Sequence, residues 1–120
     1  ELRHELRDKS SSVDVLIEKL NKILKIENLV ITRGINGALF YVKKNKRKIH
    51  CPAFARNVID KVGAGDAMLS VMSLLCRVGC DPMGAMFLGS LAAAQNVEKL
   101  NNSSILKKNR IVQYANYMMK

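Results

Sequence analysis

The sequence holds little that would serve a membrane, secretion or the stacking of bases. Its 120 residues include no Trp, and the aromatic share is only 5%. A module that reads nucleic acid would normally add stacking aromatics or a recognition helix, so this poverty weighs against that class. No apolar run is long enough to cross a bilayer, no signal peptide is apparent, and the chain begins without Met; the expectation is a cytoplasmic protein with no membrane partner. The three cysteines, Cys51, Cys76 and Cys80, are an odd number without metal-ligand company. Cys76 and Cys80 can share one side of a helix, yet two ligands do not make a zinc site. Buried free thiols in a reducing compartment are the expected state.

Positive charge, by contrast, is plentiful. Twenty Lys and Arg against ten Asp and Glu give a formal net charge of +10. Much of it sits in Lys43-Lys44-Asn45-Lys46-Arg47-Lys48 and Lys107-Lys108-Asn109-Arg110, where solvated hairpin and helix surfaces explain it. A nucleic-acid-binding domain rests on this charge alone; an anionic substrate would also gain from it, through steering. The apolar share of 48% suits a folded protein, and the length allows one modest core and a single domain over residues 1–120.

The rest is organised around Asn57-Val58-Ile59-Asp60-Lys61-Val62-Gly63-Ala64-Gly65-Asp66-Ala67-Met68. Here a turn with two glycines runs into a long apolar helix and leaves one carboxylate in its first turn. Gly63 and Gly65 let the backbone turn tightly and let a ligand approach without a Cβ in the way. The first amides of the helix have no partner inside it, so with the helix dipole they form a site for an anion such as phosphate. Asp66 beside a phosphate is repulsive unless a cation or a transferred proton compensates it, which points to chemistry rather than to binding alone. Phosphoryl transfer needs a charge-stabilising cradle and a carboxylate that orients the attacking hydroxyl and takes its proton. The plain alternative is an ordinary turn with Asp66 complementing the helix terminus.

Val58 to Ala67 resembles the C-terminal signature of the ribokinase-like (PfkB) carbohydrate kinases, an Asp and two residues that are commonly Thr, then Gly-Ala-Gly-Asp. The resemblance extends to Ile31-Thr32-Arg33-Gly34-Ile35-Asn36-Gly37-Ala38 and to the Ala-rich helix after Asp81-Pro82, covering about Leu29 to Leu100. It implies the C-terminal part of a three-layer α/β/α fold, a short sheet with packed helices, on the nucleotide-binding side of a kinase whose N-terminal sugar-binding part is absent. It further implies ATP with Mg²⁺ and a sugar or sugar-like substrate. Asp66 is the expected catalytic base, with Gly63, Ala64 and Gly65 as the anion hole; no protein metal ligands are expected. Thr32, Gly34 and Gly37 would line the nucleotide phosphates, and Ser90 stands where related kinases often have Asn near the adenine. Many members bind a monovalent cation beside this loop, in which Asp60 would take part. Lys61 replaces the usual Thr or Ser, and its ammonium is expected either to replace that cation or to help hold the phosphates. A non-catalytic nucleotide- or phosphate-binding module is the alternative, and both a homo-oligomer and a fused additional domain are compatible with the sequence.

Along the chain, residues 1–9 read as a short polar helix broken by Ser10-Ser11-Ser12. Ser12 or Ser11 caps a second helix with Val13, Leu16, Ile17, Leu20, Ile23 and Leu24 at helical spacing. Leu29-Val30-Ile31-Thr32 reads as a strand of the kind buried in a parallel sheet, with its ligand-bearing carboxyl end at Thr32. Residues 38–42 and 48–51 read as a hairpin with the basic run as its loop. Pro52-Ala53-Phe54-Ala55 leaves the sheet. His50 and His4 have no catalytic partners in view. Ala67 to Val78 is apolar on nearly every face and is expected to be touched from several sides. Gly79 ends it, Asp81 caps the next helix with Pro82 at its first position, and the small residues from Gly84 to Ala94 allow close helix contact. Ser103 or Ser104 is expected to cap a final helix.

Overall fold

The computed structural model describes residues 2–55, 57–98 and 107–120. Helix α1 covers only Leu2–Glu5 before the chain turns through Arg7 at φ 47°. Asp8 organises this turn: its Oδ1 accepts the amides of Ser11 at 2.9 Å and Ser10 at 3.3 Å, and its Oδ2 is bonded by the Lys19 ammonium. The Lys19 bond first, and Ser11 second, hold the Asp8 carboxyl well below the usual carboxylate range.

Helix α2, Val13–Ile23, begins as its cap predicts, with the Ser12 hydroxyl accepting the amide of Val15 at 3.4 Å. It buries Leu16 and Ile17. Strands β1 (Asn28–Thr32), β2 (Ala38–Val42) and β3 (Arg47–Cys51) form one sheet in the order β1-β2-β3. Both pairings are antiparallel, with Thr32 opposite Ala38 and Ala38 opposite Cys51. The basic hairpin is as expected, a 3₁₀ turn over Lys43–Asn45 closed through Lys46 in the left-handed region.

Alternation along β2 supplies the three layers. Ala38 and Phe40 pack with Met68, Met72, Ala85 and Met86, while Leu39 and Tyr41 pack on the other face with Ile17 of α2. Phe40 and Leu39 are each only 2% exposed, and burial of such side chains contributes roughly 1.5–3 kcal/mol apiece. The parallel setting expected for β1 is corrected. Residues 33–37 reverse the chain at once, whereas a parallel neighbour would need a crossover of about a dozen residues. Among the described residues β1 pairs with β2 alone, and its residues are half-buried or exposed.

Helix α3 spans Ala64–Arg77, starting earlier than the apolar run alone suggested, because Gly63 at φ 80° is its N-terminal boundary. Of the several sides on which contact is expected, the described residues cover those toward α4 and the sheet. Met68 and Met72 are buried, but Leu69, Leu74 and Val78 are 65%, 64% and 69% exposed, since α4 is its main packing partner among the described residues. Gly79, at φ 76°, closes the helix: its amide meets the Cys76 carbonyl at 3.2 Å and the Cys80 amide meets that of Leu75 at 2.9 Å. Helix α4, Pro82–Val97, is capped by the Asp81 carboxylate, which accepts the amides of Met83 and Gly84. A Cβ at Gly89 would lie 2.5 Å from Met72 Cγ, so the small residue there permits the α3–α4 contact. Helix α5, Lys108–Met118, packs on α4 and buries Ala115. The proposed caps Ser103 and Ser104 lie outside the described residues. All three cysteines are free; Cys51 is buried, and Cys76 and Cys80 are half-buried rather than fully enclosed.

Candidate active site

Three short segments meet at the end of the sheet where β1 finishes and β2 begins. The first is the turn after Thr32, closed by the Arg33 amide on the Gly37 carbonyl at 2.7 Å. Gly37 has φ 73°, and a Cβ there would fall 2.0 Å from the Cys51 carbonyl oxygen, so packing alone demands glycine. The second segment leaves β3 through Pro52 and is held to α4 by Phe54, whose ring meets Phe87 edge-on with centroids 5.5 Å apart.

The third segment leads from residue 57 into α3. The amides of Ile59 and Asp60 donate to the Val97 carbonyl at 2.8 and 3.1 Å. Asp60 Oδ1 accepts the Val62 amide at 2.9 Å, and the buried Asn96 side chain donates to the Val62 carbonyl at 2.8 Å. This framework delivers the chain to Gly63 and so into α3. The first intrahelical bond runs from the Ala67 amide to the Gly63 carbonyl, and no side chain caps the terminus. The amides of Ala64, Gly65 and Asp66 therefore have no partner within the helix. A Cβ on Gly65 would meet nothing within 4 Å, and Asp66 is exposed in the first turn with its backbone carbonyl taken by the Ser70 hydroxyl.

Between these segments lies a cleft of about 950 Å³. Ser90, Ala93, Ala94 and Val97, recurring on one face of α4, form its far wall. The Ser90 hydroxyl is buried at 6% exposure and has no hydrogen-bond partner among the described residues. It lies near enough to the Cys51 thiol to offset part of the upward push of burial on that thiol, without the alignment of a hydrogen bond.

The pattern of the pfkB family carbohydrate kinases matches residues 1–109. The chain belongs to that family. It is 33% identical over 87 residues to the bifunctional protein HldE of Hahella chejuensis, covering 72% of this chain and 18% of that protein. With HldE of Proteus mirabilis the identity is 35% over 95 residues, covering 77% and 20%. The chain thus spans about a fifth of the length of these curated relatives. Among solved structures, ribokinase from Thermotoga maritima superposes with a TM-score of 0.80 at 25% identity over 96% of this chain and 38% of that one. Phosphofructokinase-2 from Escherichia coli, solved in complex with potassium, gives 0.80 at 17% identity over 100% and 39%. The fold is that of the ribokinase-like kinases.

Within this pfkB fold, Thr32, Gly34, Gly37, Lys61, Gly63, Ala64, Gly65, Asp66 and Ser90 all line the one cleft. Asp60 does not; its carboxylate serves the Val62 amide instead. Sequence reasoning missed Asn96 and the Val97 carbonyl, which set the height of the loop. Asn96 left a signal, a polar side chain inside an Ala-rich helix, but its contact lies 34 residues away in the chain. His50 is exposed and takes the Arg33 guanidinium at 3.3 Å on Nδ1, apart from the cleft.

Proposed function

We propose that this chain is the nucleotide-side portion of a kinase that transfers a phosphoryl group from ATP to a hydroxyl of a sugar or sugar derivative. The observation that carries the reading is the free N-terminus of α3, with Asp66 in its first turn, opening on the same cleft as Thr32 and Gly34. Asp66 orients the acceptor hydroxyl and takes its proton as the oxygen attacks. The amides of Ala64 and Gly65 hold the charge that develops on the transferred phosphoryl group. Thr32 and Gly34 receive the nucleotide's phosphates, and the unpartnered Ser90 hydroxyl offers a polar contact deeper in the cleft.

Magnesium supplies charge neutralisation across the phosphates in this chemistry. Among the described residues, no group of three or more His, Cys, Asp or Glu side chains cages a metal, and Asp66 is the only carboxylate lining the cleft. That donor set suits an ion that arrives with the phosphates and keeps several waters. The acceptor site, the complete protein's activity and a cytoplasmic location belong to the proposal; no helix among the described residues is long and apolar enough to cross a membrane.

The test is to incubate the complete protein that contains this chain with MgATP and a panel of sugars, following sugar phosphate and ADP together. Stoichiometric formation of both is expected. A protein that binds MgATP but phosphorylates no sugar would favour a nucleotide-binding module, and one that binds no nucleotide would overturn the reading altogether.

A further inference from the structure

We infer that Lys61 is a nucleotide-binding residue, its ammonium contacting the phosphates held at the α3 terminus. The inference rests on the phosphoryl-transfer reading above and adds a specific contact to it. The residues on either side of Lys61 are pinned. The Asp60 amide is fixed on the Val97 carbonyl and its carboxylate on the Val62 amide, while the Val62 carbonyl is fixed by buried Asn96. Lys61 is the one cation of this tether, its side chain makes no hydrogen bond or ion pair among the described residues, and it lines the cleft. It has no carboxylate partner among the described residues: the ion pairs there involve Lys19, Lys48 and His4.

An uncommitted cation on a restrained loop is a different object from a solvated surface lysine. Its backbone is held in place by hydrogen bonds rooted in α4, so little chain freedom is lost when it meets a ligand. The same cleft holds the amides of the α3 terminus, which no side chain caps, and the buried Ser90 hydroxyl, which has no hydrogen-bond partner among the described residues, two further polar features that a phosphate-bearing ligand would satisfy. Amides alone offer partial charge near Asp66, which repels a phosphate. One full positive charge beside them offsets that repulsion, through a charge-assisted hydrogen bond to a phosphate oxygen. The nearest carboxylate in sequence, Asp60, accepts the Val62 amide on Oδ1 and makes no ion pair with the ammonium.

The experiment compares the complete protein with its Lys61→Met and Lys61→Arg variants, measuring KM for MgATP, kcat, and Kd for ADP by titration. Lys61 is exposed, so neither change should affect folding, and thermal unfolding checks this. Lys61→Met should raise KM for MgATP and Kd for ADP about 10- to 100-fold, the range for losing one bond to a charged group. Lys61→Arg should restore most of the affinity. Unchanged KM and Kd in Lys61→Met, in a protein whose wild type phosphorylates sugar, would overturn the role of Lys61 and leave the kinase reading standing. A wild type that neither binds ADP nor uses ATP would overturn both.

Discussion

The two ends of the sheet are built from opposite materials. At one end, the hairpin tip carries Lys43, Lys44, Lys46 and Arg47 without a salt bridge among them, beside the close of α2 with Lys22 and Lys25. At the other, where Thr32 faces Ala38 and Ala38 faces Cys51, the turns are glycine-rich and, among the described residues, the cleft is lined by one cation and one carboxylate, Lys61 and Asp66. This cluster of cations therefore lies a strand's length from the place where charge would do chemistry. The net charge of +10 is spread along the chain; on the proposed reading, the charge that matters is a single lysine and a set of backbone amides.

The largest expected effect separates two glycines of the cleft. Gly37→Ala puts a Cβ 2.0 Å from a backbone oxygen at a positive φ, so it should cost about 3 kcal/mol or more of stability, seen as a lower unfolding midpoint in urea. Gly65→Ala meets open space, so stability should hold while nucleotide affinity falls, because the new methyl stands where a phosphate approaches. If both variants unfolded alike, the cleft glycines would be structural at both positions and the contrast would fail. The smallest effect belongs to the other end: replacing Lys43, Lys44, Lys46 and Arg47 together with Gln should leave KM for MgATP within about twofold at 0.15 M salt, since charges beyond a Debye length of about 8 Å are largely screened. A large rise in KM would show that the hairpin field steers the substrate after all.

What could be read from the sequence follows the range of the interactions involved. The Ser12 cap, the Gly79 terminus, the Asp81-Pro82 start of α4 and the basic hairpin are decided within a few residues, and each stands where expected. The Gly-Ala-Gly-Asp turn is likewise local, so the α3 terminus and the position of Asp66 were legible. Pairing was not: a four-residue apolar strand reads the same whether its neighbour is parallel or antiparallel, and only the reversal at 33–37 settles β1. The exposure of Leu69, Leu74 and Val78 was invisible because periodicity reports what a face could bury, not what covers it. The Asn96 clamp on the Val62 carbonyl joins residues too far apart in sequence for any local pattern to reveal it. Gly37 was read as a ligand contact, and although it lines the cleft, its close approach to the Cys51 carbonyl explains the residue by packing.

The central claim is that Asp66 acts on an acceptor hydroxyl beside phosphates held by the α3 terminus. The most direct measurement is the turnover of Asp66→Asn in the complete protein, with the Kd for ADP determined on the same preparation. Asn keeps the size of the side chain and removes its basicity. The account predicts a loss of kcat of about 10²- to 10⁴-fold, the usual contribution of a positioned base, with nucleotide affinity unchanged or slightly improved as a negative charge is removed. Turnover near that of the wild type would contradict it, and would return Asp66 to the role of a carboxylate that merely complements a helix end.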